Sequence, residues 1–282
     1  MVIGETDFAC QTFTITSWKA CISLRIYQIR VTLWCKGDKM SSPNFSWNQT
    51  RFVVNVSPEN LPFFDVLVFP TRDYRSERFG FKEMASDFLD EISHYNVRRA
   101  WPKPDQCALL VIDMQQYFLP IASPIVGNVL SVIEACRSKG IRVIFTRHGH
   151  QEISRDGGML AKWWGDCIEY GSRKWELIKG LSIQDTDRIL DKNRYSAFFK
   201  TDLDESLRFR KIDELIVTGV MTNCCCETTA RDGFIRDYRI FFVSDATATV
   251  DEELHVASLK NLAYGFAHIL STEKLRSHIR NH

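Results

Sequence analysis

Short apolar runs alternate with amphipathic stretches along the chain from residue 106 onward. Apolar runs bounded by polar positions are typical of buried strands, and they lie at 107–112, 141–145, 188–190, 214–217, 239–243 and 267–270. Stretches with the 3.6-residue period of a helix separate them, at 127–139, 204–209, 224–237 and 252–264. The pattern therefore predicts strands and helices in alternation.

This alternation predicts an α/β fold with a doubly wound, mostly parallel sheet of about six strands and helices on both faces. Ligands of such sheets bind beyond the carboxyl ends of the strands. The residues that directly follow the predicted strands are 113–115, 146–148, 191–192, 219–225 and 244–245. An acid, a lysine and a cysteine are among them, so we expect one crevice to contain all three.

The N-terminal part of the chain lacks this regular pattern. Residues 1–39 show no clear periodicity and precede Met40, which favours a leader or a non-native extension. The proline-containing residues 40–105 are interpreted as an irregular cover segment with one helix over 82–93. We expect the regular domain to span 106–274 and a C-terminal tail to follow at 275–282.

Composition and charge narrow the possible functions. The 282 residues include 36 Lys and Arg against 35 Asp and Glu, so no basic field indicates a nucleic-acid partner. No membrane span and no signal peptide are evident in the sequence. Nine cysteines form an odd number without a C-x-x-C pair, which favours a reducing compartment. We expect a cytoplasmic protein.

Three adjacent cysteines, Cys224, Cys225 and Cys226, follow the fourth predicted strand. A helix that begins here would place them in its first turn, where the helix dipole lowers the pKa of a thiol. Successive helical residues point about 100° apart, so only one of the three thiols can face the crevice well. From position alone, one reactive thiol and three small core residues are equally acceptable interpretations.

Three ordered segments, LLVIDMQQYF, DKNRYSAFFKTDL and TGVMTNCCCETTARDGF, resemble the isochorismatase-like cysteine hydrolase superfamily. That superfamily includes nicotinamidases and the N-carbamoylsarcosine and ureidoacrylate amidohydrolases. The resemblance implies Cys225 as nucleophile, Asp113 as general base and Lys192 as the cation beside them. It also implies an oxyanion hole formed by the backbone N–H groups of Met221 and Cys225, with a cis peptide bond before Met221.

These roles predict a cysteine hydrolase that cleaves a small amide or ureido C–N bond through a thioester acyl-enzyme. The helix end and Lys192 would lower the pKa of the Cys225 thiol, and the Asp113 carboxylate would raise it. We therefore expect a proton shared among the three groups. Cys224 and Cys226 are expected to fill core space.

A second resemblance keeps an alternative open. RYSAFF at 194–199 and Trp164 with its following glycine are similar to isochorismatases proper, which hydrolyse a vinyl ether and carry glycine at the nucleophile position. Their substrate-binding arginine falls on Gly157 here, with Arg155 two residues away. C–N hydrolysis is favoured, and vinyl-ether hydrolysis or a non-catalytic protein of the same fold are the alternatives.

Nicotinamidases bind a divalent ion through an Asp-x-His pair and a further histidine, and the equivalent stretch here, 147–150, lacks the aspartate. We predict no metal and no cofactor, although the sequence leaves open whether His148 and His150 contact substrate or a metal. The expected partner is a small-molecule substrate, in a homo-oligomer that is a dimer or a tetramer. The residues predicted to contact substrate are Gln115, His148, Trp164, Tyr195 and Phe198.

Overall fold

The computed structural model of the chain describes residues 11–12, 32–33, 89–98 and 100–281. The chain divides into two compact units, Met1–Arg78 and Phe79–His282. In the first unit, the described residues are one antiparallel pair, Gln11–Thr12 with Thr32–Leu33. The predicted boundary between residues 39 and 40 lies outside the described residues, as does most of the predicted helix over 82–93.

The second unit contains a six-stranded sheet in which every pair of neighbouring strands is parallel. The spatial order of the strands is β3-β2-β1-β4-β5-β6. The sheet confirms the predicted fold class, and the apolar runs became strands because both faces of the sheet are covered. The strands are β1 Cys107–Ile112, β2 Arg142–His148, β3 Arg188–Lys192, β4 Glu214–Val220, β5 Arg239–Ala248 and β6 Ala267–Leu270.

Helices cover both faces of this sheet. One hydrophobic cluster joins the sheet to α1 and α6, and a second cluster joins its other face to α3, α4 and α5. The helices are α1 Val126–Ser138, α2 Gly158–Trp164, α3 Leu203–Phe209, α4 Glu227–Ile235, α5 Glu252–Gly265 and α6 Thr272–Asn281. Short helical turns precede α1 at Gln116–Phe118, Leu119–Ala122 and Ser123–Ile125, and Ile153–Asp156 precedes α2.

The last helix, α6, was not predicted from the sequence. Leu275 and Ile279 lie one helical turn apart and are both fully buried in the cluster that contains α1. The residues that we assigned to a C-terminal tail therefore belong largely to a helix that packs on the core.

Residues Gln116–Ser138 form a helical run that is long and apolar enough, by length and composition alone, to cross a membrane. In this structure the run packs against the sheet, and its buried side chains include Ile125, Val129, Val132 and Cys136. Packing in the core is therefore a sufficient reason for its apolar composition.

Gly219, near the end of β4, permits a very close approach between the two central strands. Its φ is +111°, and a Cβ at this position would lie 2.0 Å from the carbonyl oxygen of Ile112. Any side chain would push β4 away from β1 at the point where both strands deliver residues to the carboxyl edge. The glycine thus fixes the spacing of the strand ends.

We expect Gly219→Ala to lower the free energy of unfolding by about 3 kcal/mol or more, because strain and a backbone clash act together. Gly140→Ala is the matched control: its φ is +72°, but no atom lies within 4 Å of the added Cβ. The control should lose only about 1 kcal/mol. Urea unfolding of both variants measures the difference, and equal losses would contradict the close-approach argument.

Candidate active site

Three strand ends deliver an acid, a lysine and a thiol to one place. Asp113 directly follows β1, Lys192 ends β3, and Cys225 lies in the turn after β4. The Lys192 Nζ donates a hydrogen bond to Asp113 Oδ2 at 2.6 Å, and both side chains are completely buried. Cys225 is also buried, and the charges of Asp113 and Lys192 both act on its thiol.

The Asp113 carboxylate is held in a defined orientation by two neighbouring strands. The Thr146 hydroxyl, on β2, donates to Asp113 Oδ1 at 2.6 Å, and the Asp113 backbone N–H donates back to Thr146 Oγ1 at 3.0 Å. Asp113 has a φ of +48°, a left-handed conformation that aspartate tolerates better than most residues. Lys192 makes a second bond, to the carbonyl of Arg194 at 3.0 Å. Both carboxylate oxygens are thus engaged.

A π-helical turn, Thr222–Cys226, places the cysteines directly before α4. The backbone N–H groups of Cys224 and Cys226 both donate to the carbonyl of Met221 at 3.1 Å. The peptide bond between Val220 and Met221 is cis. This irregular turn lets the chain change direction within a few residues of β4, so that Cys225 faces the ends of β1 and β3.

The three adjacent cysteines lie in three different environments. Cys226 is fully buried in the core and Cys225 is 5% exposed, whereas Cys224 is partly exposed and lies beside the Tyr195 hydroxyl. The expectation that both neighbours fill core space therefore fits Cys226 but not Cys224. All three thiols lie in the same π-helical turn, and Cys224 is on its partly exposed side.

Burial raises the pKa of the Cys225 thiol well above its usual value, while Lys192 lowers it and Asp113 raises it. The expected lowering by the helix end and Lys192 is thus outweighed by desolvation. Burial lowers the pKa of Lys192, but the Asp113 carboxylate opposes this, and the net pKa of the lysine is raised. Burial therefore disfavours the charged form of the thiol, which lies beside the Asp113–Lys192 ion pair.

Two of the predicted substrate contacts have other partners in the structure. Both N–H groups of the Gln115 amide donate to backbone carbonyls, of His148 at 2.9 Å and of Trp175 at 2.8 Å, and its oxygen accepts from the His148 N–H. Phe198 is 4% exposed and its ring stacks on Tyr238 within the core. These contacts favour structural roles for Gln115 and Phe198, because the polar atoms of the Gln115 side chain already have backbone partners and the Phe198 ring is packed in the core.

The other predicted contacts lie closer to the triad. Trp164 is 53% exposed and its indole N–H donates to the Tyr195 hydroxyl at 2.8 Å. The charges of Cys224 and Cys225 act on that same hydroxyl. His148 pairs with Lys192 in the parallel ladder between β2 and β3, and Lys192 and Asp113 both act on its ring. Tyr195 thus lies beside Cys224 and Cys225 with Trp164 bonded to it, and His148 lies beside Lys192 and Asp113. Contact of these three side chains with a substrate stays a prediction.

The residues present do not fit the divalent ion that nicotinamidases bind. Among the described residues, no group of three or more His, Cys, Asp or Glu side chains is arranged to hold a metal. His148 and His150 have their ring centroids 5.1 Å apart in an edge-to-face arrangement, and the aspartate of the nicotinamidase Asp-x-His pair is absent from this stretch. The described residues therefore do not reproduce the metal ligands of nicotinamidases.

Sequence reasoning missed Thr146 and the Arg194 carbonyl, which hold Asp113 and Lys192 in place. Thr146 does follow an apolar run, so its position at a strand end was visible. Nothing in the sequence distinguishes a hydroxyl that orients a carboxylate from one that only ends a strand. The Arg194 contribution is a backbone atom and leaves no trace in the sequence.

A doubly wound sheet with a buried acid, lysine and thiol at its carboxyl edge is an arrangement suited to hydrolytic enzymes. The family model "Isochorismatase domain" matches residues 107–274, which is more than half of the chain. The chain therefore belongs to the isochorismatase family and is a hydrolase.

Individual relatives agree with this assignment. Nicotinamidase 3 of Arabidopsis thaliana is 50% identical over 185 residues, which cover 64% of this chain and 93% of the relative. Isochorismatase of Bacillus subtilis is 33% identical over 64% of this chain and 60% of its own length. The crystal structure of a cysteine hydrolase from Pseudomonas syringae pv. phaseolicola superposes with a TM-score of 0.62 at 32% identity, covering 65% of this chain and 96% of that one.

Burial, followed by the charge of Lys192, lowers the pKa of His148 to about 3. Below its ordinary pKa of about 6.5, the unfolded chain takes up a proton at this histidine and the folded chain does not. The free energy of unfolding should therefore decrease as the pH is lowered, and this residue should account for a decrease of about 2 kcal/mol between pH 7 and pH 5.

We expect His148→Gln to remove this contribution to the loss of stability at low pH, as measured by urea unfolding at pH 7 and pH 5. His94→Gln, at a histidine on the surface, is the matched control and should keep the wild-type pH dependence. An unchanged slope in His148→Gln would show that His148 is protonated in the folded protein.

Proposed function

We propose that the protein is a cysteine amidohydrolase that cleaves a small amide or ureido C–N bond through a thioester acyl-enzyme. The observation that carries the proposal is the buried Asp113–Lys192 ion pair beside the Cys225 thiol at the ends of β1, β3 and β4. The 50% identity to a nicotinamidase supports an amide as substrate.

Acylation follows from the charges at the site. The Cys225 thiol gives its proton to Asp113, and Lys192 stabilises the thiolate that forms. The thiolate attacks the carbonyl carbon of the substrate, and a tetrahedral oxyanion results. When the C–N bond breaks, Asp113 returns the proton to the leaving nitrogen, which departs as ammonia or an amine. The acyl group remains on Cys225 as a thioester.

Deacylation repeats the proton transfers with water. A water molecule attacks the thioester carbonyl and gives its proton to Asp113, and collapse of the second tetrahedral intermediate breaks the C–S bond. The Cys225 thiolate then takes the proton back from Asp113. In both half-reactions, the backbone N–H groups of Met221 and Cys225 are the proposed oxyanion hole, since Met221 directly precedes the turn that presents the thiol and Cys225 lies in it.

Vinyl-ether hydrolysis is the second candidate, supported by the 33% identity to an isochorismatase. Arg155, the arginine nearest to the expected carboxylate-binding position, has a side chain that is 70% exposed and pairs with Glu152 at 3.5 Å. An arginine in this position is directed to solvent and not to the buried triad, which favours C–N hydrolysis. The third candidate is a non-catalytic protein of this fold. Burial of an ion pair costs free energy, and such a protein would have no functional need to bury one beside a thiol.

A substrate panel separates the candidates. Ammonia release from nicotinamide and from simple amides and ureides, including N-carbamoylsarcosine and ureidoacrylate, is measured beside turnover of isochorismate. We expect turnover of at least one C–N substrate and none of isochorismate. Turnover of isochorismate alone would reverse the order of the two candidates, and no turnover in the whole panel would favour the third.

Substitution of the three cysteines tests the covalent step. Cys225→Ser should lower kcat/KM by about 10³-fold or more, because the nucleophile acts as a unit with its base. Cys226→Ala should retain activity and lose about 1 kcal/mol of stability, since it leaves a small cavity. Cys224→Ala is the matched neighbour control and should also retain activity. Full hydrolysis by Cys225→Ser would contradict covalent catalysis.

The remaining expectations also stay proposals. They are a cytoplasmic location, a homo-oligomer and the domain boundaries at 39/40 and 105/106, whereas the predicted boundary at 274/275 falls inside α6.

A further inference from the structure

We propose that a polar cluster holds the ordered water that hydrolyses the acyl-enzyme. It lies at the end of β2 and in the segment that connects β2 to β3, and is formed by His148, His150, Asp156, Ser172 and Trp175. The inference rests on the proposed function, because it concerns the second half-reaction. The cluster is called the β2–β3 polar cluster below.

Buried polar atoms without a partner are concentrated in this cluster. Within the described part of the chain, seven buried side-chain nitrogen or oxygen atoms lack a hydrogen-bond partner, and six of them belong to these five residues. Folded proteins satisfy almost all such atoms, and ordered water is the usual partner where protein groups do not suffice. The six atoms are His148 Nδ1, His150 Nδ1, His150 Nε2, Asp156 Oδ1, Ser172 Oγ and Trp175 Nε1.

The members of the cluster approach one another closely. His150 Nδ1 lies 3.4 Å from Asp156 Oδ1, close enough for an ion pair but without hydrogen-bond geometry. The His148 and His150 rings meet edge to face at 5.1 Å. Gly149 lies between the two histidines and its missing side chain makes room for Trp175, whose Nε1 would be 3.0 Å from a Cβ there. Donors and acceptors of several side chains therefore surround one region.

The cluster continues directly into the proposed catalytic site. His148 is the strand partner of Lys192, and its ring is within range of the charges of Lys192 and Asp113. His148 is thus the member of the cluster that lies beside Asp113, the base that would take the proton of the water. The oxygen of this water bonds to the thioester carbon, the C–S bond breaks, and Cys225 recovers the proton from Asp113.

The test uses p-nitrophenyl acetate, which can acetylate a reactive thiol whatever the natural substrate is. Release of p-nitrophenolate in a burst reports acylation, and the steady state that follows reports deacylation. In His150→Phe we expect a full burst and a steady-state rate that is lower by roughly 10-fold or more, with the acetyl group found on Cys225 by peptide mass mapping. Hydroxylamine, an external nucleophile, should restore turnover in this variant.

Two controls and a second cluster variant keep the result specific. His150→Gln retains a polar side chain and should stay within about 3-fold of wild type. His268→Phe removes a histidine in β6, outside the cluster, and should leave both phases unchanged. Asp156→Asn is the second cluster variant, in case His150→Phe does not fold, and should also slow the steady state more than the burst.

Several outcomes would overturn the inference. One is an equal fall of burst and steady state in His150→Phe, and another is a lack of rescue by hydroxylamine. A third is one tightly bound divalent ion per chain in elemental analysis, with loss of deacylation after chelation, because the cluster would then be a metal site. If wild-type protein forms no acyl-enzyme at Cys225, the proposed function itself fails, and this result is distinct from the other three.

Discussion

The buried ion pair between Asp113 and Lys192 is the interaction on which the rest of the site depends. Removing two charges from water costs several kcal/mol per ion, and the loss is recovered only with close contact and further hydrogen bonds. Here the contact is 2.6 Å, and Thr146 and the Arg194 carbonyl supply the further bonds. The pair therefore requires β1, β2 and β3 to end at the same level, and the parallel sheet meets that requirement.

The same requirement explains the irregular backbone at the end of β4. The thiol must approach the ion pair from the strand beside β1, and Gly219 brings the two strands closer than any other residue would allow. The π-helical turn then directs Cys225 toward the pair and leaves Cys226 in the core. The regular sheet thus fixes the positions of Asp113 and Lys192, and a few irregular residues fix the position of the Cys225 thiol.

The sequence predicted the sheet better than it predicted the surroundings of the site. Apolar runs marked all six strands, and those of the central strands are long because burial on both faces allows few polar residues. Helix α2 was missed because none of its residues is buried: its apolar side chains, among them Met159, Trp163 and Trp164, are exposed and show no face that packs on the core. Gln115 and Phe198 were placed among the substrate contacts because they lie near strand ends, but position along the chain does not reveal that their side chains point to backbone groups or into the core. Such contacts depend on packing between distant segments.

A buried thiol whose pKa is raised is consistent with a hydrolase that must not react indiscriminately. Burial raises the pKa of Cys225, so an isolated thiolate is disfavoured until a base accepts the proton. Asp113 and Lys192 are already in contact with each other. In the proposed mechanism, transfer of one proton from the thiol to Asp113 converts an ion pair between Lys192 and Asp113 into one between Lys192 and Cys225. The number of buried charges stays the same during this step. The low polarity of the site would therefore oppose the proposed transfer much less than it opposes ionisation of the thiol alone.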